Sequence, residues 1–280
     1  MKHKNSTAFL IALIFVSGLL NFSQYHSNRF VSTGIKKTNV NTIQESKKQD
    51  AKYNQANVLS TLDYKSGSAP VVKLNDDKPF FTIKDFDTCR IHYEKLDNQN
   101  RVKGATAYLS KNNLGTSKSR HYQHWIPTGW HNNPKQIHGN RVYPVNRGHL
   151  IAYTLSFNLD KQGNYDPGEM GSEDNPYNLF TQTAFSNQTL MQETENMVRQ
   201  SLETNHKVIY KVKPIFRNDE LMARGVWVQA ASTDNSMHFN RYIFNIEPYI
   251  SFNYSTGQSH IDSGMFIKNN SDNDEKEKGL

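Results

Sequence analysis

Asn146-Arg147-Gly148-His149 is the most informative stretch of this 280-residue sequence, and it leads into the apolar run Leu150-Ile151-Ala152-Tyr153, the body of a strand predicted within residues 140–154. A glycine at position 148 lets a ligand approach the backbone closely. The Arg147 guanidinium can make two parallel hydrogen bonds to a phosphate. An ordinary histidine, with a pKa of about 6.5, can take a proton from water at neutral pH. The pattern indicates a phosphate-handling site, and a histidine packed at a strand end is the alternative interpretation.

A second group of polar residues lies on the best predicted helix, residues 185–204. At spacings of eight and four residues, Asn187, Glu195 and Arg199 fall near one face of an α-helix. An amide oxygen and a carboxylate suit a hard cation such as Mg²⁺, which keeps several waters and needs few protein ligands. The alternative is a solvated face with a Glu195–Arg199 pair and Asn187 as a helix cap. The helix itself is predicted from apolar residues at near-helical spacing: Leu190, Met191, Met197, Val198 and Leu202.

Histidines are concentrated in one part of the chain. One interpretation is a zinc site, since imidazole nitrogens are common zinc ligands. The other is the polar composition of a loop, which the prolines and glycine in the same stretch favour. The five histidines are His121, His124, His131, His138 and His149.

The remaining pattern predicts an α+β fold, with mainly antiparallel sheet and one long helix. The segment 163–178 is rich in Gly, Asp, Asn and Pro and is predicted to be a long loop. Short β-rich runs predict strands at 71–74, 80–83, 105–109, 208–212, 226–230 and 241–246.

Composition excludes several classes of protein. Mean hydropathy is −0.76, which excludes a polytopic membrane protein, and Cys89 is the only cysteine, which excludes an internal disulfide framework, a Cys-rich zinc site and an iron–sulfur cluster. The 33 Lys and Arg exceed the 26 Asp and Glu, so the formal net charge is +7. That excess fits a polyanionic partner and equally fits solubility.

Both ends of the chain differ from its centre. The apolar run 8–20 follows Lys2 and Lys4 and has the length of a signal-peptide core, about 7–15 residues, rather than the ~20 of a membrane span. We therefore predict export, with residues 1–23 as a signal peptide or an uncleaved membrane anchor. Residues 24–70 are predicted to be a flexible polar stalk, 71–262 one folded domain and 263–280 a polar tail.

Taken together, the motifs resemble those of the DNA/RNA non-specific endonuclease family. The resemblance rests on residues 146–150, on Asn175-Pro176-Tyr177-Asn178-Leu179-Phe180-Thr181-Gln182-Thr183-Ala184-Phe185-Ser186-Asn187-Gln188, and on the aromatic segment Trp125-Ile126-Pro127-Thr128-Gly129-Trp130-His131. It extends from about Phe80 to Gln258 and is strongest towards membrane-attached DNA-entry nucleases and secreted streptodornase-type DNases. The family has a ββα-metal core.

The resemblance implies a role for each matching residue. His149 would be the general base and Asn187 the direct ligand of Mg²⁺ or Mn²⁺. Glu195 would hold hydration waters of that ion, Arg199 would bind phosphate near the leaving group, and Arg147 would support the scissile phosphate. The implied partner is DNA, with RNA as a second candidate, bound through its backbone without sequence specificity.

One position departs from the family pattern. The motif is usually written DRGH, and Asn146 replaces its aspartate. Three hypotheses follow: an exported Mg²⁺-dependent endonuclease located outside the cell, which we favour; a catalytically weakened surface protein that binds nucleic acid on the same fold; and a His-rich metal-binding surface protein.

Overall fold

A six-stranded antiparallel sheet lies at the centre of the residues that the structure, a computed structural model, describes: 55–83 and 86–268. Its spatial order is β1-β10-β9-β8-β3-β2, so the middle of the sheet comes from the C-terminal half of the chain. The six strands are β1 (Val71–Lys73), β2 (Arg90–Tyr93), β3 (Ala105–Leu109), β8 (Val208–Ile215), β9 (Gly225–Ser232) and β10 (His238–Phe244).

Both faces of this sheet are buried. Along β9, Val226 and Val228 belong to one core cluster, and Trp227 between them belongs to another. Successive side chains of a strand point to opposite faces, so a strand buried on both sides carries apolar residues without alternation. This explains why the strand predicted at 208–212 shows poor alternation although its residues are in the sheet.

An antiparallel pair followed by a helix covers the first of these faces. Strand β6 (Val145–His149) pairs with β7 (Leu179–Thr183), and the chain then enters a π-helical turn, Ser186–Met191, that continues into the α-helix α2 (Gln192–Glu203). The helix buries Val198 and Leu202 against the sheet. This ββα unit and the antiparallel sheet confirm the predicted α+β class.

The strand predicted around Leu150-Ile151-Ala152-Tyr153 ends earlier than expected, at His149. Leu150 and Ile151 are fully buried in the first core cluster. Ile151 bonds the Asn178 side chain, which accepts its N–H at 2.9 Å and donates to its carbonyl at 3.0 Å. A side-chain amide thus replaces a strand partner, so the apolar run marks core burial after the strand.

Two small hairpins escaped the sequence prediction, and one predicted strand is absent. The hairpins are β4 (Lys135–Ile137) with β5 (Asn140–Val142), and β11 (Ile250–Asn253) with β12 (Gln258–Ile261). At 80–83 the described residues form no strand. There, the Phe80 N–H bonds the Gln229 side chain at 2.9 Å and its ring packs on Trp227.

Residues 55–70 form part of the folded domain, and the prediction that they are a flexible stalk is wrong for this part. Residues 55–60 are helical (α1), and Leu59 is buried against the second face of the sheet. The Arg217 guanidinium donates to the Ser60 and Leu62 carbonyls, at 2.7 and 3.2 Å. Sparse apolar residues here suffice because Leu59, Leu62 and Tyr64 pack in the core cluster on this face of the sheet.

The first residues of the predicted polar tail also pack. Met265 and Ile267 contact the second core cluster, and the Gly67 N–H bonds the Phe266 carbonyl at 2.9 Å. The apolar run 8–20 and the stalk over 24–54 lie outside the described residues. Within the part of the chain that the structure covers, no helix is both long and apolar enough to span a bilayer.

Candidate active site

The antiparallel pairing of β6 and β7 explains the glycine of the first motif. Gly148 faces the side chain of Gln182, and a Cβ at position 148 would lie 2.2 Å from Gln182 Oε1 and 2.6 Å from its Cβ. Non-bonded heavy atoms in a packed protein interior do not approach each other this closely. Only glycine therefore allows Arg147 and His149 to sit on a strand that pairs tightly with β7.

Backbone contacts define the state of His149. Its Nε2 lies 3.1 Å from the Glu173 carbonyl oxygen, which also accepts a hydrogen bond from Gln123 Nε2 at 2.9 Å. A carbonyl can only accept, so His149 Nε2 carries the proton and Nδ1 keeps the lone pair. Burial, and secondarily the positive charge of Arg120, lower the pKa of His149 to about 4. The imidazole is therefore neutral at pH 7, as a general base must be.

The π-helical turn and α2 bring two further predicted residues to the same cleft. Asn187 lies in the turn and Glu195 in the helix, and both line the cleft with His149. Because a π-helical turn is wider than an α-helical one, the α-helical spacing argument does not hold between residues 187 and 195. Burial raises the pKa of Glu195 to about 7, and the nearby Arg199 and Arg120 oppose this rise.

Arg199 is placed differently from the other predicted residues. It does not line the cleft, and its Nη2 donates to the Thr154 hydroxyl. The four-residue spacing of Glu195 and Arg199 suggested an ion pair between them. The described part of the structure contains no such pair. Arg199 nevertheless lowers the pKa of Glu195 through its charge.

Arg147 is held in place by two aromatic residues of the segment 125–131. Its Nε donates to the Trp125 carbonyl at 2.7 Å, and its guanidinium lies 4.7 Å from the centre of the Trp130 ring. The segment is attached in turn to β7, because Thr181 Oγ1 donates to the Thr128 carbonyl at 2.8 Å. The aromatic segment thus forms one wall of the site.

The cleft as a whole has a volume of about 490 Å³. It contains five of the six predicted site residues: Asn146, Arg147, His149, Asn187 and Glu195. Sequence reasoning found Trp130, Ala152 and Gln188 only as members of longer stretches and gave them no role. No local signal marked the other lining residues, which are Arg120, Gln123, Asn132, Val145 and Gln192.

The start of the helical segment is held by residues far along the chain. The buried Glu247 carboxylate accepts the Phe185 N–H at 2.7 Å, two residues before Asn187. Asn245, fully buried, accepts the Thr183 N–H at 2.8 Å and donates to the Thr181 carbonyl at 3.2 Å. A carboxylate at a helix N-terminus satisfies backbone donors and complements the helix dipole. These contacts position Asn187.

The oxygen donors of the cleft fit a hard divalent cation. Asn187 supplies an amide oxygen and Glu195 a carboxylate, in a cleft bordered by further amide side chains. Mg²⁺ prefers such ligands and retains waters. By contrast, the described residues contain no group of three or more His, Cys, Asp and Glu side chains arranged to hold a metal. The histidines thus give no support to a His-rich zinc site.

The ββα unit presents a neutral histidine, oxygen donors and arginines to an open cleft, and these are groups that a nuclease requires. Comparison with known proteins specifies which kind. The profile of the DNA/RNA non-specific endonuclease family matches residues 82–234, more than half of the chain, and the protein belongs to this family. The predicted family assignment is confirmed.

Two solved structures show the same fold. NucA from Streptococcus agalactiae with magnesium ion bound is 27% identical, with a TM-score of 0.62, and the match covers 76% of this chain and 96% of that one. The Sda1 nuclease with bound zinc ion is 21% identical, with a TM-score of 0.54, over 69% of this chain and 96% of that one. The second likeness concerns the fold alone.

Proposed function

We propose that this nuclease is an exported, Mg²⁺- or Mn²⁺-dependent endonuclease that hydrolyses DNA without sequence specificity, with His149 as its general base. The observation that carries the proposal is the convergence of His149 and Asn187, which come from different elements, on one polar cleft. The NucA structure with magnesium supports the choice of metal by similarity. RNA is a second candidate substrate.

In this mechanism His149 Nδ1 takes a proton from the attacking water. The Glu173 carbonyl holds Nε2–H, which keeps the ring in the required tautomer and orientation. The imidazolium that forms is stabilised by the same carbonyl and by the nearby Asp174, which both favour the protonated ring. General-base catalysis of this kind contributes about 10²–10⁴-fold to the rate.

The charged and amide side chains position the phosphate. Arg147, stacked on Trp130, supports the scissile phosphate, and Arg199, outside the cleft lining, contributes positive charge that acts on Glu195. Asn187 would hold the divalent cation directly and Glu195 would orient its hydration shell. When bound, the cation stabilises the negative charge that develops on the phosphate.

Export remains part of the proposal. The apolar run 8–20 after Lys2 and Lys4 supports a signal peptide or an uncleaved anchor, and either places the domain outside the cell membrane. Reading the mature N-terminus after cell fractionation separates the two forms. A protein found entirely in the medium and starting near residue 23 would eliminate the anchor.

A second candidate is a surface protein that binds nucleic acid but cleaves it poorly. The observation that favours it is Asn146, which lines the cleft where the family motif has an aspartate. An amide brings no negative charge to the cation site, so cation binding would be weaker. Restoring the acid with Asn146→Asp is the direct test: a higher rate or a lower Mg²⁺ requirement would favour this candidate.

The deciding experiment uses the purified full chain and supercoiled plasmid DNA, with Mg²⁺ or with EDTA. Nicked and linear products that appear only with Mg²⁺ support the enzyme. Retarded but intact plasmid under both conditions would support the binding protein instead. A parallel reaction with single-stranded RNA establishes whether RNA is also a substrate.

A further inference from the structure

The hairpin β4–β5 lies beside the cleft, and the His138 ring at its tip packs on Tyr249 with 4.5 Å between the ring centroids. The two ends of the hairpin are joined at the cleft, because the Val145 N–H bonds Asn132 Oδ1 at 3.2 Å, and both residues line the cleft. At its tip His138 and Gly139 have φ values of 47° and 80°, the left-handed pair of a tight two-residue hairpin turn. The hairpin is thus a defined arm next to the active site.

The arm belongs to a long part of the chain that contains no acidic residue. Between Asp97 and Asp160 the sequence has no Asp or Glu. The same stretch has a formal charge of +8, against +7 for the whole chain. Its eight cationic residues are Arg101, Lys103, Lys111, Lys118, Arg120, Lys135, Arg141 and Arg147.

Arginines in this protein divide into two groups by their partners. Among the described residues, five form ion pairs with carboxylates: Arg90, Arg101, Arg217, Arg224 and Arg241. Four have no carboxylate partner within the described structure: Arg120, Arg141, Arg147 and Arg199. Arg120 and Arg147 line the cleft, and the charge of Arg199 lowers the pKa of Glu195. Arg141 is therefore the one of the four without an assigned role.

Arg141 is exposed and lies beside an exposed aromatic ring. Its guanidinium is 5.4 Å from the centre of the Tyr143 ring, and Tyr143 is 49% exposed. A cation and an aromatic face side by side are the two groups that bind a nucleic-acid strand without reading its sequence. The cation contacts phosphate and the ring stacks on a base or sugar.

We propose that the β4–β5 arm binds the nucleic-acid strand where it leaves the cleft, with Arg141 on a backbone phosphate and Tyr143 stacked on an adjacent base. This deepens the proposed function and rests on it for the identity of the ligand. The arm extends the contact beyond the scissile phosphate. It therefore affects long substrates more than a single phosphodiester.

The test measures DNA binding separately from cleavage. Fluorescence anisotropy with a labelled 20-nucleotide strand in EDTA gives the dissociation constant of the full chain over a series of salt concentrations. We expect Arg141→Gln to reduce the slope of log K against log salt by about 0.7, as the loss of one phosphate contact does on a single strand. Tyr143→Ala should weaken binding about fivefold or more, since stacking is sequence-tolerant and favourable.

Lys95→Gln is the matched control, because it removes the same charge from an exposed residue next to Glu94, which is outside the cleft. In cleavage assays, Arg141→Gln should lose more activity on plasmid than on bis(p-nitrophenyl) phosphate. If Arg141→Gln and Lys95→Gln gave the same salt slope, the proposal that the arm binds the strand through Arg141 would be wrong. A wild-type protein that binds DNA through Arg141 but never cleaves it would instead refute the proposed function and leave the arm intact.

Discussion

Arg217 and Arg224 hold residues 60–63 behind the central sheet, whereas Arg120 and Arg147 border the cleft on its other side without a carboxylate partner in the described structure. Both Arg217 and Arg224 bond Asp63, at 3.0 and 2.6 Å. An arginine that is already neutralised stabilises a layer of the fold, and one that is not remains available to an anion. In the described structure, the comparison therefore places the arginines that remain available to an anion on the cleft side of the sheet.

The two faces also differ in what they bury. Behind the sheet, Leu59, Trp227 and Tyr242 form an apolar cluster that closes the domain. On the side of the cleft, His149, Glu195 and Asn187 are half-buried, and Gln188 and Gln192 are exposed. We therefore expect changes at the cleft to affect catalysis without unfolding, and changes behind the sheet to do the reverse.

His149→Ala should give the largest effect. Loss of the general base lowers the cleavage rate about 10²–10⁴-fold, while the arginines keep DNA binding largely intact. Initial rates on plasmid, with anisotropy as the binding measurement, test both parts. Wild-type turnover in this variant would refute the assignment of the base.

Leu59→Ala tests the opposite face. Removing a fully buried leucine leaves a cavity, so the free energy of unfolding should fall by about 2–5 kcal/mol. Urea denaturation measures the loss, and kcat below the transition should stay within a factor of two. Val58→Ala, a change at an exposed neighbour in α1, is the control. If Leu59→Ala left stability unchanged, residues 55–60 would not be a structural layer.

Asn187→Ala should weaken the cation site directly. We expect activity that excess Mg²⁺ restores only in part, whereas Glu195→Gln, acting through water, should cost about 10–100-fold in metal affinity or activity. Isothermal titration with Mn²⁺ provides a measurement independent of cleavage. An unchanged metal titration for Asn187→Ala would contradict its role as a ligand.

The pH dependence of the Mg²⁺ requirement should follow Glu195. Its pKa is raised to about 7, so protons compete with the cation below that value, and the Mg²⁺ needed for half-maximal rate should rise up to about tenfold per pH unit. His149, with a pKa of about 4, stays neutral over this range. The Glu195→Gln protein should show a flatter profile. If it shows the wild-type profile, another group controls the acid limb.

Local patterns predicted the parts of the fold that depend on neighbours in sequence. The strands predicted at 105–109 and 208–212 are present as strands of the central sheet. The helix predicted near 185–204 is present and packs on that sheet through its apolar residues. The strand at 80–83 failed for a reason that no local pattern contains: Phe80 bonds a side chain of β9 instead of a strand partner. Residues 55–70 look polar in sequence, but Leu59 is buried against the sheet and Arg217 bonds the Ser60 and Leu62 carbonyls.

The chemistry of the site was determined by the sequence itself, since His149, Asn187 and Glu195 stand in motifs whose residue types suit proton transfer and cation binding. Their arrangement was decided only by the tertiary structure. The Glu173 carbonyl sets the tautomer of His149, Glu247 holds the helix that carries Asn187, and Asn132 joins the ends of the arm. These partners lie 24, 62 and 13 residues away from the groups they contact. Contacts at such separations arise from the packing of the whole chain, because hydrogen-bond geometry depends on distance in space and not on distance in sequence.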